Sequence, residues 1–361
     1  MSSSWGNQIK ISVFGESHGT AIGVVIDGLP AGEPIDFDAL LAFMDRRRPG
    51  QNRFSTPRKE TDHPHILSGF YQGQTTGTPL SVVIRNGDTH SADYAQMNSV
   101  ARPAHADYTG HLRYHGAQDP RGGGHFSGRL TAPLVAAGGI AMQILNRRSI
   151  RIGGHIASIG EVDDTPFDSV HLSPEALLAP GKKRFPVLND PSGEKMQQLI
   201  EDCRKNQDSV GGVVECAAVG FPAGIGSPIF DGLENRMASL LFGIPAVKGL
   251  EFGAGFGASR GFGSQMNDPY CLENGVIRTL SNHHGGILGG ISSGMPILLR
   301  VAFKPTPSIS RAQDTVDFKK LESVQLSIKG RHDPCVVPRA VPCVEAAVAL
   351  ALLDAWMEKT Q

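Results

Sequence analysis

The chain has 361 residues, 40% hydrophobic and 19% charged, with a formal net charge of −1. That balance excludes an intrinsically disordered chain and gives neither nucleic acid nor an anionic membrane surface a global charge to bind. Five cysteines with no C-x-x-C pair exclude a disulfide framework and a structural zinc site.

Glycine and proline, at 44 and 24 residues, are the unusual feature and put much of the chain into turns and close backbone approaches. No apolar run approaches the roughly 20 residues of a membrane span. The longest, residues 344–356, is interrupted by Glu345 and Asp354. Residues 1–8 lack the basic start and apolar stretch of a secretory signal, so a cytoplasmic protein is expected. There is no repeat, low-complexity tract or linker, and a single domain over residues 1–361 is expected.

In chain order, a loop GESHG (15–19) precedes a β-branched strand at 21–27. The spacing of Phe37, Leu40, Leu41 and Met44 after Asp36 predicts a helix over 36–47, running into RRRPGQNR (46–53). A strand at 80–85 is followed by RPAHAD (102–107) and RGGGHFSGR (121–129). Helices are predicted over about 130–147 and over 193–206, with Met196, Leu199, Ile200 and Cys203 on one face of the second. Strands at 212–219 and 296–302 bracket NHHGGILGGISSG (282–294). KPTPSIS (304–310), GRHDP (330–334) and a core-packing helix over about 344–359 complete the chain. Strands and helices do not alternate regularly, which favours α+β over a doubly wound sheet.

The charged and histidine residues sit on the glycine-rich loops between these elements, where function concentrates. Arg46, Arg47, Arg48 and Arg53 read equally as a solvated helix end, favourable to the dipole, or as a clamp for phosphate and carboxylate. An RNA patch would interleave aromatics, which are only 6% of the chain. His18 sits between Ser17 and Gly19 in a loop before a strand, and His105 between alanines that would leave its ring accessible; histidine suits proton exchange near neutrality. Neither RGGGHFSGR nor GGILGG has the spacing of a dinucleotide or P-loop fingerprint. KPTPSIS offers a lysine and hydroxyls as a phosphate cup. GRHDP sets Arg331 beside His332 and Asp333, either as an Asp-Pro turn or as an anion site with a proton-transferring carboxylate. No histidine spacing suggests a metal.

Taken together, FGESHG, DRRRPGQNR, RPAHADYT, DPRGGG, PAVKG, GGILGGISSG, FKPTPSI and KGRHDPCVVPRAVP, across residues 14–343, resemble the chorismate synthase family. The resemblance implies a sandwich with helical layers between antiparallel β-sheets and long glycine-rich active-site loops, assembled as a homotetramer. It implies a lyase: anti-1,4-elimination of phosphate from 5-enolpyruvylshikimate 3-phosphate to give chorismate, the last common step of the shikimate pathway. The reaction depends on reduced FMN without net redox change. By the same resemblance His18 protonates the departing phosphate, His105 faces the flavin and Asp333 assists proton transfer at a flavin nitrogen. Arg47, Arg53, Arg129 and Arg331 neutralise the substrate, with Arg331 also meeting the cofactor. Lys304, Pro305, Thr306, Pro307 and Ser308 hold the FMN phosphate region, while Ser127, Ala246 and Gly289 approach it through backbone.

NADPH is expected only with an intrinsic flavin reductase activity. The compact length favours the type supplied by an external flavin reductase. The family's RGGGRSSARET reads RGGGHFSGRLT here, RPGHAD reads RPAHAD, the asparagine of NAVKG is Pro245 and KPTSSI is KPTPSI. The competing readings are a flavoprotein oxidoreductase with net hydride transfer and a non-enzymatic polyanion binder using residues 46–53.

Overall fold

The computed structural model describes residues 3–50, 60–87, 99–328 and 333–360. Ten strands form two five-stranded antiparallel sheets. The first takes β1 (Ser4–Trp5), β2 (Lys10–Gly15), β3 (Ala21–Asp27), β4 (Pro64–Ser68) and β5 (Leu80–Arg85) in the order β1-β2-β3-β5-β4. Its register sets Ile22 opposite Ile84, Val24 opposite Val82 and Ile26 opposite Leu80, so one face carries an unbroken buried aliphatic surface.

The second sheet takes β6 (Arg151–Ile159), β7 (Val162–Asp163), β8 (Gly212–Val219), β9 (Val247–Phe252) and, after a hairpin, β12 (Ile297–Phe303). The order is β9-β12-β8-β6-β7. The hairpin is β10 (Tyr270–Glu273) with β11 (Val276–Thr279), paired only to each other.

Helices fill the space between the sheets. They are α1 (Phe37–Arg47), α3 (Thr131–Arg147) and α6 (Val337–Thr360), with α2 (Asp107–Arg113), α4 (Asp190–Lys205) and α5 (Leu233–Leu241) around them. Helix α3 packs on the first sheet, α6 on the second, and the two pack on each other. The contact is close because small residues meet there: a Cβ on Gly138 would overlap Ala346. The architecture is the α+β class expected from the order of elements, arranged as the sandwich with helical layers that the family resemblance implies. Two helical stretches, Gly128–Arg147 and Val337–Lys359, are long and apolar enough to cross a membrane by composition, and both are buried between the sheets.

The predicted helices are found with corrected ends. Asp36 caps α1 by accepting from the Ala39 N–H at 3.0 Å. Helix α4 starts at Asp190 rather than 193, because Asn189 caps it and Pro191 stands at its start. Helix α6 begins seven residues before 344 and runs through Pro338 and Pro342. The last predicted strand lies one residue later, at Ile297–Phe303.

Candidate active site

A cavity of about 580 Å³ opens where the end of α1, the 121–129 loop, the residues after β12 and the start of α6 converge. That is the size of a small-molecule site, roughly 300–1,000 Å³. Arg47 reaches it by helical periodicity: Leu40, Met44 and Arg47 lie on the buried face of α1.

Two imidazoles flank one glycine loop. A Cβ on Gly122 would stand 2.6 Å from His18 Nε2, and one on Gly123 would stand 3.2 Å from His105 Nε2. Both glycines have positive φ, so consecutive residues of the loop form the floor between the rings with nothing larger than hydrogen in the way. His125 anchors the loop: its Nδ1 donates to the Gly15 carbonyl at 2.8 Å, and its Nε2 meets Ser3 Oγ at 2.8 Å. The Phe126 ring fills the space over Gly110, where any Cβ would stand 2.6 Å from it. The two departures from the common motif therefore secure the loop.

The cationic wall is built on a buried carboxylate. Arg47 Nη1 donates to Asp62 at 2.6 Å, and Arg129 Nη1 donates to the other Asp62 oxygen. Arg47 also donates from Nε to Thr131 Oγ1 at 3.0 Å and from Nη2 to the Gly128 carbonyl at 3.1 Å. Burial raises the Asp62 carboxyl, but Arg47 and Arg129 outweigh it and hold it below the usual range. Burial, against the pull of Asp62, and then Arg339 and Arg129 bring Arg47 down to about 10, so it stays charged at neutral pH. Arg129 Nη2 is buried without a hydrogen-bond partner among the described residues, 3.6 Å from Glu60. A guanidinium donor left unsatisfied in a cavity wall suits an anionic ligand.

Two turns of the same design face the cavity. In Arg102-Pro103-Ala104-His105 the His105 N–H donates to the Arg102 carbonyl at 3.1 Å, and in Ile244-Pro245-Ala246-Val247 the Val247 N–H donates to the Ile244 carbonyl at 3.3 Å. Each has proline second and an alanine of positive φ third, the arrangement of a type II turn. Pro245, which supplies no donor, serves here by fixing the turn. Lys304 joins the two: its N–H donates to the Ala246 carbonyl and its Nζ to the Ala104 carbonyl, both at 2.9 Å. Beyond it, Thr306 Oγ1 is buried with no partner among the described residues, and Ser308 is buried 3.5 Å from Arg102 Nη1.

Of the residues singled out from sequence, His18, His105, Asp333, Arg47, Arg129, Ser127, Ala246, Lys304, Thr306, Pro307 and Ser308 all line the cavity. Arg53 and Arg331 fall outside the described residues. Gly289 and Pro305 are not in the wall: Gly289 is exposed with no atom near its Cβ position, and Pro305 packs against Gly211. Ser310, part of the expected phosphate cup, turns away to donate to the Ile328 carbonyl at 3.2 Å.

Sequence reasoning passed over Arg102, Asp62 and Arg339. Arg339 lines the cavity, pairs with Asp333 and donates from Nε to the Arg47 carbonyl at 2.9 Å. Arg102 and Arg339 lay inside the quoted motifs, so charged residues within a glycine-rich motif were the available signal.

Two imidazoles, a set of carboxylate-backed guanidiniums and a lysine around a cavity of this size define an enzyme site for a small polyanionic ligand. The sequence profile described as Chorismate synthase matches residues 9–357, and the chain belongs to the chorismate synthase family. It is 46% identical to a chorismate synthase of Thermococcus kodakarensis over 349 residues, covering 97% of this chain and 96% of that one. It is 48% identical to one of Methanosarcina barkeri over 351 residues, covering 97% and 94%. A solved structure titled "Crystal Structure of Chorismate Synthase" matches with a TM-score of 0.77 at 29% identity, covering 98% of this chain and 93% of that one.

Proposed function

We propose that this enzyme catalyses the loss of phosphate from 5-enolpyruvylshikimate 3-phosphate to give chorismate, in aromatic amino acid biosynthesis. In the elimination the ring gives up a proton to a base on the cofactor side, the C–H bonding pair stays in the ring as a new C=C bond, and phosphate departs with the C–O bonding pair. The observation that carries the reading is the pair of imidazoles separated by Gly122 and Gly123 and faced by Arg47 and Arg129. The arginines offset the charge of the phosphate and two carboxylates. His18, on one side of the loop, is placed to give a proton to the leaving phosphate. His105 and Asp333 hold and move protons on the cofactor side.

The residues fit FMN. The buried Thr306 hydroxyl, with no partner among the described residues, the Ser308 hydroxyl and the Lys304 ammonium form a phosphate-binding end, and the Ala246 turn offers backbone beside it. Burial and then Lys248 lower the Lys304 pKa, a shift that an anion seated there would reverse. Reduced FMN held by these residues would supply electron density for C–O cleavage with no net redox change. Self-association as a homotetramer is supported by the exposed apolar hairpin, where Tyr270, Leu272, Val276, Ile277 and Leu280 are open to solvent.

The test is chorismate formation from the phosphorylated substrate under anaerobic conditions, with FMN and excess dithionite. Prompt release of chorismate and phosphate is expected. Replacing dithionite with NADPH then separates an intrinsic flavin reductase from dependence on an external one. No product from folded, FMN-binding protein, or NADPH consumption in proportion to product, would overturn the lyase in favour of a net oxidoreductase.

A further inference from the structure

His105 does not stand alone in the cavity wall. Its Nδ1 lies 2.8 Å from Asp107 Oδ1. The same carboxylate accepts from the Arg102 N–H at 2.9 Å, from Arg102 Nε at 2.7 Å and from Arg102 Nη2 at 2.6 Å. Arg102 Nη2 is also 3.0 Å from His105 Nδ1. Both partners are shielded, with side-chain exposures of 4% for Arg102 and 6% for Asp107. Asp107 is also the first residue of α2, where a negative charge is favoured.

We infer that Asp107, gripped by Arg102, is the positioning residue that holds His105 with its proton on Nδ1 and its Nε2 free to face the cavity. The chemistry behind this is a choice between two arrangements. With the proton on Nδ1, the ring donates to the carboxylate at the shorter distance, while the 3.0 Å contact with Arg102 Nη2 sets donor against donor and is given up. With the proton on Nε2, two lone pairs would face each other across 2.8 Å, and only the longer contact to Arg102 would be favourable. The carboxylate therefore selects the tautomer, as a carboxylate behind a catalytic or metal-bound imidazole does. On the far side, Nε2 approaches the Gly123 backbone, where a side chain would close it off.

The charged groups facing the ring are Asp107 and Arg102 from its own segment and Lys304 from beyond β12. Burial lowers the ring's proton affinity, Asp107 raises it, and Arg102 and Lys304 lower it again, leaving it below the ordinary 6.5. His105 is then a neutral ring near pH 7, with an acceptor nitrogen aimed at the ligand. Arg102 reaches onward to Ser308, so one guanidinium coordinates the histidine and the phosphate-binding end.

That this nitrogen faces reacting groups rests on the proposed function; the tautomer itself does not. The experiment is a 15N NMR titration of histidine-labelled protein without flavin, with His105 assigned by its loss in His105→Gln. The wild type is expected to show Nδ1–H and a pKa below 6.5. In Asp107→Asn the tautomer preference should vanish and the pKa fall by about one unit or more. Arg102→Lys, which keeps the charge but loses the fork, should loosen the tautomer and is read if the first variant does not fold. With the enzyme assay running, Asp107→Asn should cut kcat about 10²-fold with little change in KM, move the pH profile of turnover downward with the histidine, and be partly restored in Asp107→Glu. An Nε2–H tautomer in the wild type, or an unmoved His105 titration in both variants, overturns the assignment. Absence of chorismate formation by the wild type would overturn the proposed function and leave the tautomer result standing.

Discussion

Alanine in the left-handed backbone region costs about 1–2 kcal/mol against an extended or helical conformation, and the two alanines that adopt it among the described residues, Ala104 and Ala246, both face the cavity. At position 104 the family's motif commonly has glycine, which takes that conformation freely. Ala104→Gly should therefore stabilise the protein, by about 0.5–1 kcal/mol once the greater freedom of glycine in the unfolded chain is subtracted. Urea unfolding of the two proteins checks it, and a destabilised variant would mean that the alanine methyl makes a contact worth more than the strain. The sequence made this motif visible through its proline and histidine, but the turn that sets His105 facing Gly123 depends on a backbone angle that no composition reveals. Arg47 was half legible. The apolar spacing of Leu40 and Met44 extends to it and distinguishes it from Arg46 and Arg48, yet its buried partner Asp62 lies in an unremarkable stretch.

At the scale of elements, α6 shows what a charged residue in an apolar helix can mean. Glu345 and Asp354 interrupt the hydrophobic run and are fully buried. Glu345 accepts two bonds from Arg46, at 2.6 and 2.9 Å, and one from the Gly154 N–H of β6 at 2.8 Å, so it ties α6 to α1 and to the second sheet. Glu345→Ala leaves a mostly buried guanidinium and an amide without their acceptor. A loss of about 3 kcal/mol is expected in chemical denaturation, and a loss under 1 kcal/mol would show that water replaces the carboxylate. Strand β6 was missed for a related reason. Its sequence, RIGGHIASI, breaks the alternation of a strand with two glycines and a histidine. The structure answers both: Gly154 gives its amide to Glu345, and the buried His155 bridges Asp164 and Glu215 at 3.0 and 2.9 Å. Long-range polar pairings of this kind override local pattern, whereas strands whose alternation is purely aliphatic, such as β5, were readable residue by residue.

For the molecule as a whole, exposed large apolar side chains occur at several places among the described residues, and the longest run in one hairpin is at residues 270–280. The β10–β11 hairpin, paired to neither sheet, carries Leu272 at 74% and Ile277 at 68% exposure. An antiparallel ribbon with such side chains outward suits burial against another copy of the chain. If the chain assembles as the proposed tetramer, Leu272→Asp combined with Ile277→Asp should give smaller species in sedimentation or light scattering while leaving the cavity residues in place. An unchanged mass would move the interface elsewhere.

Asp354 lies near the far end of α6, and one of its oxygens accepts from three consecutive backbone amides: Asn7 at 3.1 Å, Gln8 at 2.7 Å and Ile9 at 2.8 Å. Its other oxygen takes Arg236 Nη1 at 3.1 Å. Contacts that bridge some 345 residues cannot form during most of synthesis. The segment leading into β2 is made 345 residues before Asp354, and its amides find their acceptor only after residue 354 has left the ribosome. Until α6 arrives, three backbone amides beside the first sheet lack the acceptor they have in the finished fold.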